Sequence, residues 1–136
     1  MAGNVLVDAG FLVALLSRRD AHHQWAVRTA SRYAPPWTTS ESALSEAFHL
    51  LADAGGHALG ELLRRRAVAA SFHLDDHLEP VLKLLRKYAN VPASLADVSL
   101  LRMSETFADP ILLTTDGDFR IYRRHGRQVV PAVLPG

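Results

Sequence analysis

The sequence predicts a three-layer α/β/α sandwich built on a mainly parallel sheet. Short apolar runs alternate with longer stretches of helical period. The first run, Val5-Leu6-Val7, is β-branched and apolar on both faces, as a buried strand requires, and glycine and proline act as punctuation throughout. Strands alternating with helices imply right-handed crossovers and a sheet covered on both sides. A length of 136 residues suits one core with no room for a second domain of ordinary size, so 1–136 reads as a single domain.

Taken in order, the strand at Val5 is followed after Gly10 by a short helix over 11–16. Asp20 is placed as the N-cap of a second helix over 21–33, which Pro35-Pro36 stop. Trp37-Thr38 reads as a short strand, and Ser40 or Ser42 caps a helix reaching Ala54 and ended by Gly55-Gly56. A further helix is expected over 58–66 and a third strand over 68–74. Asp75 or Asp76 caps a helix to Tyr88 whose stripe is Val81, Leu82, Leu84 and Leu85. Asn90-Val91-Pro92 breaks it, and Ser94 caps the helix that carries Asp97 to Thr106. A fourth strand is expected over 111–114, a turn at Asp116-Gly117-Asp118, and a fifth strand at Val129-Val130.

Composition excludes several classes. Hydrophobic content of 49% and charged content of 21% are those of a globular chain, and without cysteine there are neither disulfides nor thiolate zinc sites. The N-terminus lacks a basic segment followed by a long apolar run, and no apolar run approaches the ~18 residues of a membrane span, so a cytoplasmic protein is expected. Net charge is +1, but 13 of the 15 cations are arginine, the side chain suited to forked phosphate contacts. They cluster at Arg18-Arg19, at Arg64-Arg65-Arg66, and at Arg120, Arg123, Arg124 and Arg127. The middle cluster reads as a solvated helix face. Arg18, Arg19, Arg120, Arg123 and Arg124 are the candidates for contact with a nucleic-acid backbone, because they follow strand-end carboxylates closely.

Those carboxylates carry the chemistry. Asp8 closes the first strand and Asp116 follows the fourth, at the edge where ligands bind in open α/β sheets. Glu46 and Asp97 lie in helical patterns with apolar neighbours one turn away, and no lysine or arginine lies within a turn of Glu46. An unpaired anion leaves water at a high cost, so acids without local cations are expected to share a cation from solution. A donor set of carboxylates alone suits Mg²⁺ or Mn²⁺ rather than zinc. Such an ion polarises phosphoryl oxygens and activates water, and it would let a phosphodiester approach a pocket of anions.

The ordered set Val5-Leu6-Val7-Asp8, Leu12 to Leu16, Ser40 to Glu46, Ser94-Leu95-Ala96-Asp97 and Thr114-Thr115-Asp116-Gly117-Asp118-Phe119 resembles the PIN-domain ribonucleases. It is most similar to the small VapC-type toxins of bacterial toxin–antitoxin pairs. The resemblance spans nearly the whole chain, and its most specific element is the Thr-x-Asp-x-x-Phe stretch. It implies a five-stranded parallel sheet and a metal-dependent endoribonuclease that leaves a 5′-phosphate and a 3′-hydroxyl. Asp8, Glu46, Asp97 and Asp116 would be the acidic quartet, with an Mg²⁺ or Mn²⁺ cofactor. Asp118 reads either as an additional metal carboxylate or as a turn residue. It also implies a homodimer restrained by a small antitoxin, to which Trp25, Trp37, Phe48 and Leu51 would offer apolar area unless the core claims them. One departure falls at Gly10, where the family often has a hydroxyl or amide, so a polar contact beside Asp8 is expected to be missing. The alternatives are a PIN-like module that binds nucleic acid or a partner with weak or no cleavage, and a nuclease directed at DNA. His22-His23 point in different directions on a helix, and no Gly-rich phosphate loop or serine nucleophile elbow is present.

Overall fold

The computed structural model describes residues 4–136. In chain order its elements are β1 (Val5–Val7), α1 (Ala9–Leu16), α2 (His23–Arg32), β2 (Trp37–Ser40), α3 (Glu41–Leu50), α4 (Asp53–Arg64) and β3 (Val68–Phe72). Then come a 3₁₀ turn at Leu74–His77, α5 (Leu78–Lys87), α6 (Leu95–Glu105), β4 (Ile111–Leu113), a second 3₁₀ turn at Gly117–Arg120, β5 (Arg123–Arg124), β6 (Gln128–Val129) and β7 (Ala132–Val133). Five strands form one parallel sheet in the order β3-β2-β1-β4-β7. This is the expected α/β/α sandwich.

Alternation along the central strands sorts the core into two layers. Leu6 and Leu112 face one side, where Val81, Leu84, Val98 and Leu101 of α5 and α6 cover them. Val7 and Leu113 face the other, against Phe11 and Leu12 of α1, Ala26 of α2 and Leu59 of α4. Helix α3 supplies Ala43 to the first layer and Leu44 and Ala47 to the second, so it lies across the boundary between them. The chain order reverses direction at β1 and β4. The carboxyl ends of those two strands therefore flank the switch point, the position that binds ligands in such sheets. Among the described residues no helix is long and apolar enough to cross a membrane.

Four local expectations fail. Gly55-Gly56 do not end α3, which stops at Leu50; both glycines lie inside α4. A Cβ on Gly55 would stand 2.8 Å from the Leu51 side chain and 3.4 Å from the Leu16 carbonyl, so close packing against α1 outweighs the low helix propensity of glycine. Asp20 does not cap α2. Its carboxylate accepts from the His22 N–H at 2.9 Å within a turn, and the helix begins at His23. The third strand ends at Phe72, and Asp75 and Asp76 lie in a 3₁₀ turn instead of capping α5. Val129-Val130 is not the fifth strand of the sheet. His125 and Gly126, both at positive φ, turn the chain so that β6 pairs antiparallel with β5, and β7 completes the main sheet. Val129 is consequently 62% exposed while Val130 is buried.

Candidate active site

Asp8 sits where β1 hands over to α1 and serves both. As N-cap its Oδ1 accepts the Phe11 N–H at 2.8 Å, and its Oδ2 accepts the Thr114 hydroxyl. The Thr114 oxygen in turn accepts the Asp116 N–H at 2.9 Å, so one threonine ties together the two strand ends that flank the switch point. Asp116 caps the following 3₁₀ turn through the Asp118 N–H, also at 2.9 Å.

Asp97 is the third residue of α6 and belongs to a capping box. Its Oδ2 accepts the Ser94 N–H at 2.9 Å while its own N–H donates to the Ser94 hydroxyl at 3.0 Å. Its place is thus set by helix-start chemistry, yet the box occupies only one carboxylate oxygen. Glu46 is exposed on α3. Helix α3 starts from Ser40, whose hydroxyl accepts the Ala43 N–H at 3.1 Å at the very end of β2.

Asp8, Glu46, Asp97 and Asp116, from four different parts of the chain, line one cavity of about 150 Å³ together with Gly10, Ala43, Ala96, Leu100 and Thr115. A larger hollow of about 630 Å³ lies elsewhere, between α5 and the β5–β6 turn, and is walled by Lys83, Lys87, Glu79 and His125. The acidic cavity is the chemically distinctive one. The ion pairs among the described residues, Arg64 with Glu61 and Arg102 with Glu105, involve none of its acids.

Electrostatics follow from that crowding. Burial pushes the Asp8 carboxyl from 3.8 up to about 7, against the lowering effect of Thr114 and the Phe11 N–H, with the charges of Asp116 and Asp97 adding to the rise. Asp116 is also raised, first by burial and then by the Asp118 and Asp97 charges, with its bond from the Asp118 N–H opposing. These groups resist ionising together without a cation. The donor set, oxygen only and without a cation of its own, fits a hard divalent ion. Among the described residues no three acidic or histidine side chains converge tightly enough to hold an ion alone.

Other expectations shift. Gly10 does not leave a polar gap. A Cβ there would collide with the Thr115 hydroxyl, which fills the space that a side chain at position 10 would take. Asp118 is exposed and stands outside the residues lining the cavity; its backbone holds the Asp116 carboxylate, which is the turn role. Arg124 is not a phosphate contact. It is 7% exposed, and its guanidinium donates to the carbonyls of Ser104 at 2.6 Å and Phe107 at 2.7 Å and to Gln128 at 3.1 Å. Arg123 spends one guanidinium nitrogen on the carbonyls of Arg120, Ile121 and Tyr122. Arg120 stays exposed, with its guanidinium 3.6 Å from where a Gly117 Cβ would stand. Arg18 and Arg19 are exposed in the turn after α1, separated from Asp8 by the eight residues of that helix. Trp37 is in the core, edge-on to Phe11, and Trp25 and Leu51 pack against the same cluster, whereas Phe48 is 42% exposed.

The sequence reading did not assign roles to Thr114 or Thr115. The first had a local signal in the Thr-x-Asp spacing, since a hydroxyl two residues before an acid can reach its N–H. The second had none, because its neighbour Gly10 is distant in sequence.

The family model described as PIN domain matches residues 5–124. No curated protein matches the sequence. Among solved structures, the chain is similar to Mycobacterium tuberculosis VapC20, described as a Sarcin-Ricin loop cleaving toxin. The TM-score is 0.71 at 21% sequence identity, over 84% of this chain and 91% of that one.

Proposed function

The chain belongs to the PIN-domain family, and from that premise we propose that it is a metal-dependent endoribonuclease, the VapC-like toxin of a toxin–antitoxin pair, acting as one domain in the cytoplasm. The observation that carries this reading is the convergence of Asp8, Glu46, Asp97 and Asp116 on one cavity at the switch point, without a cation from the described residues. These four carboxylates would hold Mg²⁺ or Mn²⁺. Bound there, the ion would polarise a phosphoryl oxygen and make a water molecule nucleophilic at neutral pH.

The protein's own residues do the rest. Thr114 and the Phe11 N–H hold the Asp8 carboxylate in one orientation, and the Asp118 N–H does the same for Asp116. The capping box sets Asp97. Glu46, exposed on α3, would add the fourth carboxylate of the set that lines the cavity. Arg120, exposed over the turn at Gly117, supplies positive charge to draw an RNA backbone to an otherwise repulsive pocket. The relative named as a Sarcin-Ricin loop cleaving toxin supports ribonuclease chemistry in this fold; at its low identity the RNA loop itself is not carried over. A small antitoxin presenting an arginine to the acidic cavity, and a homodimer, complete the proposal.

The test is cleavage of RNA and of DNA side by side by the wild type and by Asp97→Asn. Asparagine keeps the shape and the helix start, so the variant is expected to fold and to lose RNA cleavage. Undiminished cleavage refutes the assignment, and preferential cleavage of DNA redirects it. A second reading, a module that binds without cutting, draws on the dispersed acids, no three of which gather around one point. Millimolar-or-better Mn²⁺ binding in calorimetry favours the enzyme, and no heat at all favours the module.

A further inference from the structure

Tyr122 lies just past the second 3₁₀ turn and is 1% exposed. Its ring packs edge-on against Tyr88 at 5.0 Å and Phe119 at 5.1 Å, within the α5–α6 layer of the core. A phenylalanine would make every one of those contacts. The phenol oxygen is the unexplained atom. It is buried and has no hydrogen-bond partner among the described residues, whereas the Tyr88 hydroxyl next to it accepts the Arg123 N–H at 2.9 Å. A buried hydroxyl without a partner costs stability, so packing alone would favour its removal.

That oxygen lies within the influence of acids that line or border the cavity. The charges that act on it are those of Asp97, Asp116 and Asp118, in falling order, and Asp97 also lies within reach of its O–H. A phenol is protonated at neutral pH, so this one is available as a donor. Asp97 has one oxygen committed to the Ser94 N–H, and its other oxygen has no such tie in the capping box. We infer that Tyr122 is a positioning residue of the acidic cavity, whose O–H closes on the second oxygen of Asp97 and holds that carboxylate when a divalent cation is bound. This rests on the metal-site reading proposed above. The device resembles the outer partners that orient metal ligands elsewhere, with a phenol in place of a backbone group.

The experiment compares Tyr122→Phe with the wild type by thermal unfolding without metal and by Mn²⁺ calorimetry. The inference expects an unchanged or higher unfolding midpoint and Mn²⁺ affinity weakened by about tenfold. In an Asp97→Asn background the same substitution should leave Mn²⁺ affinity within about twofold, because the coupled partner is gone. A lower unfolding midpoint, or failure to fold, assigns the hydroxyl to the fold and overturns the inference. Unchanged Mn²⁺ affinity in Tyr122→Phe, with normal binding by the wild type, overturns the role of Tyr122 alone. Absence of Mn²⁺ binding by the wild type overturns the metal-site reading and this inference with it.

Discussion

Asp8 at 8% exposure and Arg124 at 7% are withdrawn from water to the same degree, yet the fold surrounds them differently. Arg124 donates to three acceptors at the C-terminal end of α6 and in β6, where the helix carbonyls also offer negative charge. Neutral oxygens inside the protein satisfy both terminal guanidinium nitrogens, while its Nε has no partner among the described residues. Asp8 has two donors but no cation among the described residues, and two further acids raise the cost of its charge. The first arrangement is what a structural charge needs. The second is what the proposed cation site requires before its ion arrives, and on that reading the difference separates a brace from a binding site.

The sharpest way to break that comparison is to neutralise each group in turn. Asp8→Asn is expected to reduce RNA cleavage by more than about a hundredfold, since even outer partners of metal ligands cost up to that much. It should also stabilise the metal-free protein at pH 8. The sign follows from the raised pKa: the folded state keeps a proton that the unfolded chain loses above 3.8. The contribution to stability is therefore full below about 3.8 and is lost as pH rises through about 7, an effect on the order of a few kcal/mol. Urea unfolding of metal-free wild type should show falling stability across that window, and Asp8→Asn should flatten the curve. A wild-type curve that rises there would mean that Asp8 has an internal partner after all.

Arg124→Met is expected to do the opposite. Its loss strands the Ser104 and Phe107 carbonyls and should lower stability by about 3 kcal/mol, read as a lower urea midpoint with Mn²⁺ affinity unchanged. Weakened metal binding without loss of stability would erase the distinction. The smallest effect sharpens the contrast between two arginines. Arg120→Ala should reduce the slope of log affinity against log salt for single-stranded RNA by about 0.7, the share of one phosphate contact. A slope altered by Arg124→Met and untouched by Arg120→Ala would reverse their roles.

How much was legible depends on where each signal resides. The helix carrying Asp97 was readable because Ser94 and Asp97 form a local capping box, three residues apart. The strands leading to Asp8 and Asp116 were readable because a short apolar run bounded by polar residues reads as a buried strand. Gly55-Gly56 misled because their local preference to end a helix was overruled by close contact with Leu16 and Leu51. Arg124 misled for the same kind of reason: its neighbours in sequence are exposed arginines and a turn, while its partners Ser104 and Phe107 lie 20 and 17 residues away.

By itself the sequence determined the fold class and the alternation of strands and helices, and it singled out the four acids proposed for the site, because period, capping and strand length are properties of short stretches of chain. Only the tertiary structure decided the strand order that brings Asp8 beside Asp116 and the threonine that joins them. It also decided the exclusion of Arg124 from the surface and the orphaned phenol of Tyr122. The reason is that burial and electrostatic pairing are set by whichever groups the sheet brings together across the chain, as Thr114 and Asp8 are across 106 positions, and local pattern does not encode such neighbours.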